Sequence, residues 1–198
     1  MSFLNILYKV QDDIKPDCTI AAFDAGGKTF RHELLPEYKA NREKLEDDFR
    51  TQLKILQEIL NYSGHKVIAR EGIEADDIIA SLAKLAKNEN YEVVILTADK
   101  DLLQLASPGV KVLRNATARI NNAKFYDVET FLNEYKFMPS SMADYLAIVG
   151  DNTDNIKGVD GVGEVGAKEV LSKFSTLEEI FSHIEELDTR KRNKLKAH

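Results

Sequence analysis

Eight carboxylates in this 198-residue chain stand where a folded sheet would gather them: Asp24, Glu74, Asp76, Asp77, Asp99, Asp101, Asp151 and Asp154. Asp24 closes the apolar run CTIAAFD. Asp99 follows VVILTA, with Asp101 two residues on, and GIEADD places Glu74, Asp76 and Asp77 just after HKVIAR. Asp151 and Asp154 come in GDNTDN, directly after an apolar helical stretch. Taken singly, each cluster has an ordinary explanation, because Asp and Asn cap helices and acids are favoured in a first helical turn. Taken together they exceed what capping requires. Like charges within about 4–6 Å resist joint ionisation unless a cation lies between them. The clusters hold carboxylates without cysteine, and the four histidines (His32, His65, His183, His198) are scattered, so the preferred ions are magnesium or manganese, and more than one. Two such ions about 3.5–4 Å apart can activate water and stabilise a leaving oxygen in phosphodiester hydrolysis.

The elements that must position these acids follow from periodicity. Phe3, Ile6, Leu7 and Val10 mark one face of an opening helix, and CTIAAFD reads as a buried strand. Phe49, Leu53, Leu56, Ile59 and Leu60 mark a second helix before the strand HKVIAR; Ile78, Ile79, Leu82, Leu85 and Ala86 mark a third before EVVILTAD, which reads as buried on both sides. DLLQLA, a helix, and VKVLR, a strand, follow. This alternation predicts an α/β fold with a parallel sheet covered on both faces, whose ligands gather beyond the carboxyl ends of the strands. If residues 74–86 are helical, Glu74 shares the inward face of Ile78, Leu82 and Leu85, where an unpaired carboxylate is costly. After residue 125 the pattern turns helical, dividing the chain into an α/β part, 1–125, and a helical module, 126–198, with the change of character falling between 122 and 140.

Composition limits the alternatives. No apolar run reaches the length of a membrane span and no leader pattern opens the chain, which reads as cytosolic. The lone Cys18, within an apolar run, is expected to be buried and inert. A net charge of −6 argues against a nucleic-acid partner unless the acids are neutralised locally. Two segments supply the opposite chemistry. Residues 26–48 carry Lys28, Arg31, Tyr38, Lys39, Arg42 and Lys44; by charge alone they read as a solvated connection, but beside the acids they could hold phosphate while Tyr38 stacks on a base. IKGVDGVGEVGAKEV brings Gly158, Gly161, Gly163 and Gly166 into a helix start, where backbone can approach phosphate; taken alone it is equally a tight helix connection. The tail TRKRNKLKAH reads as a solvated helix end, with phosphate contact as the other reading.

The segments FDAGGKTFRHE, YKANR, GIEADD, TADKD and GDNTDNIKGVDGVGEVGA, in that order, closely resemble the 5′-to-3′ exonuclease and flap endonuclease family, over residues 1–185. The resemblance implies a PIN-like parallel sheet with a C-terminal helix-three-turn-helix that grips duplex DNA. It implies a magnesium- or manganese-dependent two-metal nuclease acting on DNA with a free 5′ end or 5′ flap and on RNA primers in RNA–DNA hybrids, in replication and repair, with a polymerase as partner. By that similarity Asp24, Glu74, Asp76 and Asp77 serve one metal, and Asp99, Asp101, Asp151 and Asp154 the other. Lys39 and Arg42, in the family's helical arch, contact the scissile or a neighbouring phosphate, with Arg31 and Tyr38 also on DNA and Tyr38 stacking near the terminal base. Gly158, Gly161, Gly163 and Lys168 belong to the duplex grip, often with a potassium ion. The family opens with a strand bearing an aspartate, whereas Met1 here aligns inside its first helical region, so a fragment, a misassigned start or a variant of altered activity is expected. Two rivals stay open: a DNA-structure-binding protein with weak or absent catalysis, and a PIN-like ribonuclease, which would not need IKGVDGVGEVGA.

Overall fold

A computed structural model describes residues 3–43, 46–114 and 123–197; Lys44 and His198 lie outside them. The chain opens with helix α1 (Phe3–Ile14), strand β1 (Ile20–Asp24), the short helix α2 (Phe30–Leu34), α3 (Asp47–Tyr62), β2 (Lys66–Arg70), α4 (Ala75–Asn88) and β3 (Val93–Thr97). A 3-10 turn, Asp101–Leu105, leads to β4 (Val110–Arg114), and β5 (Lys124–Tyr126) follows. Thereafter come α5 (Val128–Tyr135), α6 (Met142–Val149), the two-residue strands β6 (Gly150–Asp151) and β7 (Ile156–Lys157), α7 (Glu164–Leu171), α8 (Leu177–Ser182) and α9 (Thr189–Lys196). Parallel strands flanked by helices, with a helical C-terminal region, are what the alternating periodicity predicts. DLLQLA is a 3-10 segment instead of an α-helix.

Apart from the two-residue β6–β7 pair, the described strands form two ladders. β1 pairs in parallel with β2, Ile20 opposite Lys66 and Asp24 opposite Arg70. β3 pairs in parallel with β4, and β4 with β5 antiparallel. Among the described residues no ladder joins the two, and α4 spans them, packing on β1, β2 and β3. This corrects two expectations. Val94 of β3 is 37% exposed, so β3 is not enclosed on both faces, and Ile20 of β1 is 42% exposed. Cys18 is likewise exposed, because it precedes β1 and gains no neighbour from the strand pairing.

Burial is concentrated around β3, β4 and the later helices. One core takes in Leu103, Val112, Phe131, Met142, Ile148, Ile180 and Leu195, and so runs from the α/β part into the helical part without a break. α5 is pinned there by aromatic contacts: Phe131 stacks on Tyr135 at 4.4 Å between ring centroids and meets the edge of Phe137 at 5.5 Å. Since Phe131 is fully enclosed, Phe131→Ala leaves a cavity the surrounding rings cannot fill. It is expected to lower unfolding free energy by about 3–5 kcal/mol, read from urea denaturation; a loss under about 1 kcal/mol would contradict this packing. By contrast α3 buries only Leu60 and leaves Phe49 and Ile59 of its predicted inner face exposed; among the described elements its main packing partner is the five-residue strand β2.

Candidate active site

Four chain segments bring the acids to one side of the molecule. Asp24, the last residue of β1, accepts from the Ala75 N–H through Oδ1 at 2.7 Å, and so caps α4. Glu74, immediately before α4, is 9% exposed, as its predicted inward direction requires; Leu85, assigned to the same face, is 59% exposed. Asp76 and Asp77 fill the first turn of α4. Asp99 follows β3, and its Oδ1 accepts from the Asp101 N–H at 2.9 Å, which turns the chain into the 3-10 segment. Asp151 ends β6 and accepts from the Thr153 N–H at 2.7 Å.

The carboxylates influence one another in two groups. Asp76 has its pKa raised to about 6, by burial first and then by Asp99 and Asp24. Asp101 is raised to about 6, again by burial, then by Asp99 and Asp151. Asp99 thus stands between one set containing Asp24, Glu74 and Asp76 and another containing Asp101, Asp151 and Asp154. Burial alone would raise Asp151, yet it is held below the usual range, because the Thr153 N–H and Lys100, 3.5 Å from its Oδ2, favour the charged form.

Cations stand among these acids. Arg31 donates two parallel bonds to Asp77, at 2.7 and 2.8 Å, and Asp77 is lowered chiefly by that pair. Lys39 Nζ lies 2.8 Å from Glu74 and 3.9 Å from Asp154, and Arg42 2.7 Å from Asp154. The chain between them is held down as well: Lys39 N–H donates to the Asp154 carbonyl at 3.0 Å, and Asn41 to the Asn152 carbonyl at 2.7 Å. Tyr38 Oη is 3.0 Å from both Glu74 and Asp154, so one phenolic proton serves two acceptors, and burial followed by the Asp154 bond raises its pKa.

Tyr38, with 6% of its surface exposed, has its ring enclosed, and its hydroxyl ties 37–42 to the acids. Arg31 is committed to Asp77, because a guanidinium fork matches a carboxylate in two bonds. Lys168 rests its ammonium 4.8 Å from the centre of the Tyr135 ring. Gly158 serves packing: a side chain there would run into the backbone of Val149 and Gly150. Gly161 and Gly163 border an open cleft of about 340 Å³. In the glycine turn the Asp160 carbonyl accepts from Lys194 Nζ at 2.9 Å. The sequence gives no sign of the contact between Lys194 and the glycine turn, and for Lys100 only its position between Asp99 and Asp101 offered a signal.

Among the described residues no three His, Cys, Asp or Glu side chains already converge on one point as metal ligands do. The donor chemistry nonetheless suits hard divalent ions: every candidate is a carboxylate, and Asp101 Oδ1 is buried without a hydrogen-bond partner. The raised pKa values carry a sign. An acid whose pKa is higher in the fold binds more protons folded than unfolded between about pH 4 and 6, so stability falls as pH rises through that window. Asp76→Asn is therefore expected to melt higher than wild type in EDTA at about pH 7.5, with the gain shrinking toward about pH 4. A lower melting temperature at the higher pH would mean that Asp76 is not in a repulsive setting.

A family described as "5'-3' exonuclease, N-terminal resolvase-like domain" matches residues 1–136, and "5'-3' exonuclease, C-terminal SAM fold" matches 137–198. The chain belongs to the 5′-3′ exonuclease family. Members of this family are nucleases, hydrolases that bind DNA. The chain is 37% identical over 202 residues to a DNA polymerase I of Caldicellulosiruptor bescii, covering 98% of this chain and 23% of that protein. It is 37% identical over 183 residues to a 5′-3′ exonuclease of Mycoplasmopsis pulmonis, covering 92% and 60%. The chain therefore spans about a fifth to three fifths of the length of these relatives. Among solved structures, T5 5′-exonuclease with bound zinc superposes with a TM-score of 0.80 at 25% identity, covering 98% of this chain and 74% of that one. The catalytic core of Rad2 in complex with DNA superposes at 0.57 and 23% identity, covering 90% and 56%, a likeness of fold alone. No helix among the described residues is long and apolar enough to cross a membrane.

Proposed function

We propose that this exonuclease-family chain hydrolyses DNA phosphodiester bonds near a free 5′ end or 5′ flap, using two magnesium or manganese ions, in replication and repair. The observation that carries the reading is Asp101: a half-buried carboxyl with a raised pKa and one oxygen without a partner, set among Asp99, Asp151 and Asp154. Asp24, Glu74, Asp76 and Asp77 would hold one ion and Asp99, Asp101, Asp151 and Asp154 the other, some through water. Bound there, the ions supply an activated water and charge for the leaving oxygen. Lys39 and Arg42 already reach the acids, so a phosphate held by those acids' ions would come within range of both side chains. The catalytic acids are carried by the 1–125 part, with Asp151 and Asp154 supplied from 126–198, whose glycine turn and α7 would grip duplex backbone through Gly161 and Gly163. RNA primers paired to DNA are further substrates, and a polymerase is the expected partner, in keeping with the polymerase relatives.

A second reading, a DNA-structure-binding protein with weak catalysis, is supported by the two separate ladders and the cations between the acids. Cleavage of a 5′-flap DNA in magnesium, beside binding of the same DNA in calcium, decides between them. The nuclease reading expects flap DNA to be cut and single-stranded RNA to be spared. Tight binding without cleavage at any magnesium or manganese level favours the second reading, and preferential cutting of RNA contradicts both.

A further inference from the structure

The basic tail forms a helix whose outer face is solvated and whose inner face is anchored. Leu195, 2% exposed, seats α9 in the main core, and the helix lies across the glycine turn. Lys191 reaches Glu169 of α7 at 2.8 Å and its own N-cap Asp188 at 2.9 Å. Lys194 goes to the turn itself, where its ammonium donates to the Asp160 carbonyl at 2.9 Å. Gly161, next in the chain, has φ +72°, and a side chain there would occupy the space the Lys194 ammonium fills. Arg190, Lys191 and Lys194 line the same cleft as Gly161, Gly163 and Gly166.

A backbone carbonyl turned toward a compact monovalent charge is the coordination a potassium ion takes, and a lysine ammonium is a comparable point charge on a tether. We propose that Lys194 is the resident cation of the glycine turn: it supplies from within the chain the positive charge that a free cation would otherwise bring to the Asp160 carbonyl, and presents it to a DNA phosphate in the adjoining cleft. The glycine at 161 is then required for two reasons, its left-handed backbone and the room its missing side chain leaves for the ammonium. The phosphate half of this inference rests on the DNA-nuclease reading; the cation half does not.

Two measurements on the full chain test it. Thermal melting is compared in potassium and in tetramethylammonium chloride at equal ionic strength, for wild type and Lys194→Met. Wild type is expected to melt alike in both salts, and Lys194→Met to gain stability in potassium only. A potassium-dependent wild type, or a variant indifferent to the salt, overturns the cation role. Affinity for a duplex DNA in calcium is then measured in the same salts. Lys194→Met is expected to bind about tenfold more weakly in tetramethylammonium and to recover part of that in potassium, whereas wild type is unchanged by the exchange. Equal affinity of variant and wild type in tetramethylammonium overturns the phosphate role. If wild type binds no duplex, the nuclease reading fails and with it the phosphate half, while the melting comparison still decides the cation half.

Discussion

Replacing Asp99 and Asp101 together by asparagine is expected to slow 5′-flap cleavage by at least about 10³-fold, with the DNA still bound in calcium. Asp99 is the residue through which the two acidic groups meet, since it is the charge common to the raised Asp76 and the raised Asp101. Asn keeps the size and one acceptor oxygen of each side chain, so the turn built on the Asp101 N–H and Asp99 Oδ1 survives. What is lost is negative charge, and charge is what a divalent ion requires of these positions. The same substitution removes repulsion, so the variant is not expected to melt below wild type in EDTA, which separates a lost function from a lost fold. Single-turnover cleavage with saturating enzyme is the appropriate measurement. Cleavage within tenfold of wild type would mean that the chemistry lies elsewhere.

Gly158→Ala is the second large effect, and its cause is steric. The β6–β7 ladder sets Gly150 opposite Lys157 and Asp151 opposite Ile156, and Gly158 follows at the point of closest approach. A Cβ on Gly158 would enter the backbone of Val149 and Gly150, and one on Gly150 would sit 2.5 Å from the Gly158 nitrogen. Backbone on both sides cannot rotate away as a side chain could. The expected cost is about 2–4 kcal/mol in urea denaturation. Cleavage should fall further, by about 10²-fold at temperatures where the variant is folded, because the shift is passed to Asp151 and the 151–155 turn. Gly163→Ala is the matched control. It has open space around it and no left-handed φ, so stability should stay within about 0.5 kcal/mol of wild type. Equal losses from the two substitutions would refute the packing role of Gly158.

These two glycines illustrate what the sequence could and could not disclose. A glycine-rich run before a helix is visible as a motif, but whether a given glycine faces a ligand or another backbone depends on which strand returns beside it. The acids were legible because an apolar run ending in Asp marks the end of a strand, and strand ends in an α/β fold point one way. Their counter-ions were not. Lys39 meets Glu74, Arg31 meets Asp77 and Arg42 meets Asp154 across long stretches of chain, and a basic segment looks the same whether it lies in solvent or on carboxylates. Tyr38 shows the consequence: its type and neighbours suit base stacking, and nothing in the sequence discloses that its hydroxyl lies between Glu74 and Asp154. Cys18 and Leu85 failed for a simpler reason. An apolar neighbourhood in sequence predicts burial only where another element covers it, and neither residue is covered.

The most direct test is manganese binding followed by electron paramagnetic resonance. Two manganese ions per chain, with the spin coupling of a close pair that disappears in Asp99→Asn, are expected if the carboxylates form one two-ion centre. No specific occupancy, or isolated ions whose number and spectrum are indifferent to Asp99→Asn, would contradict it.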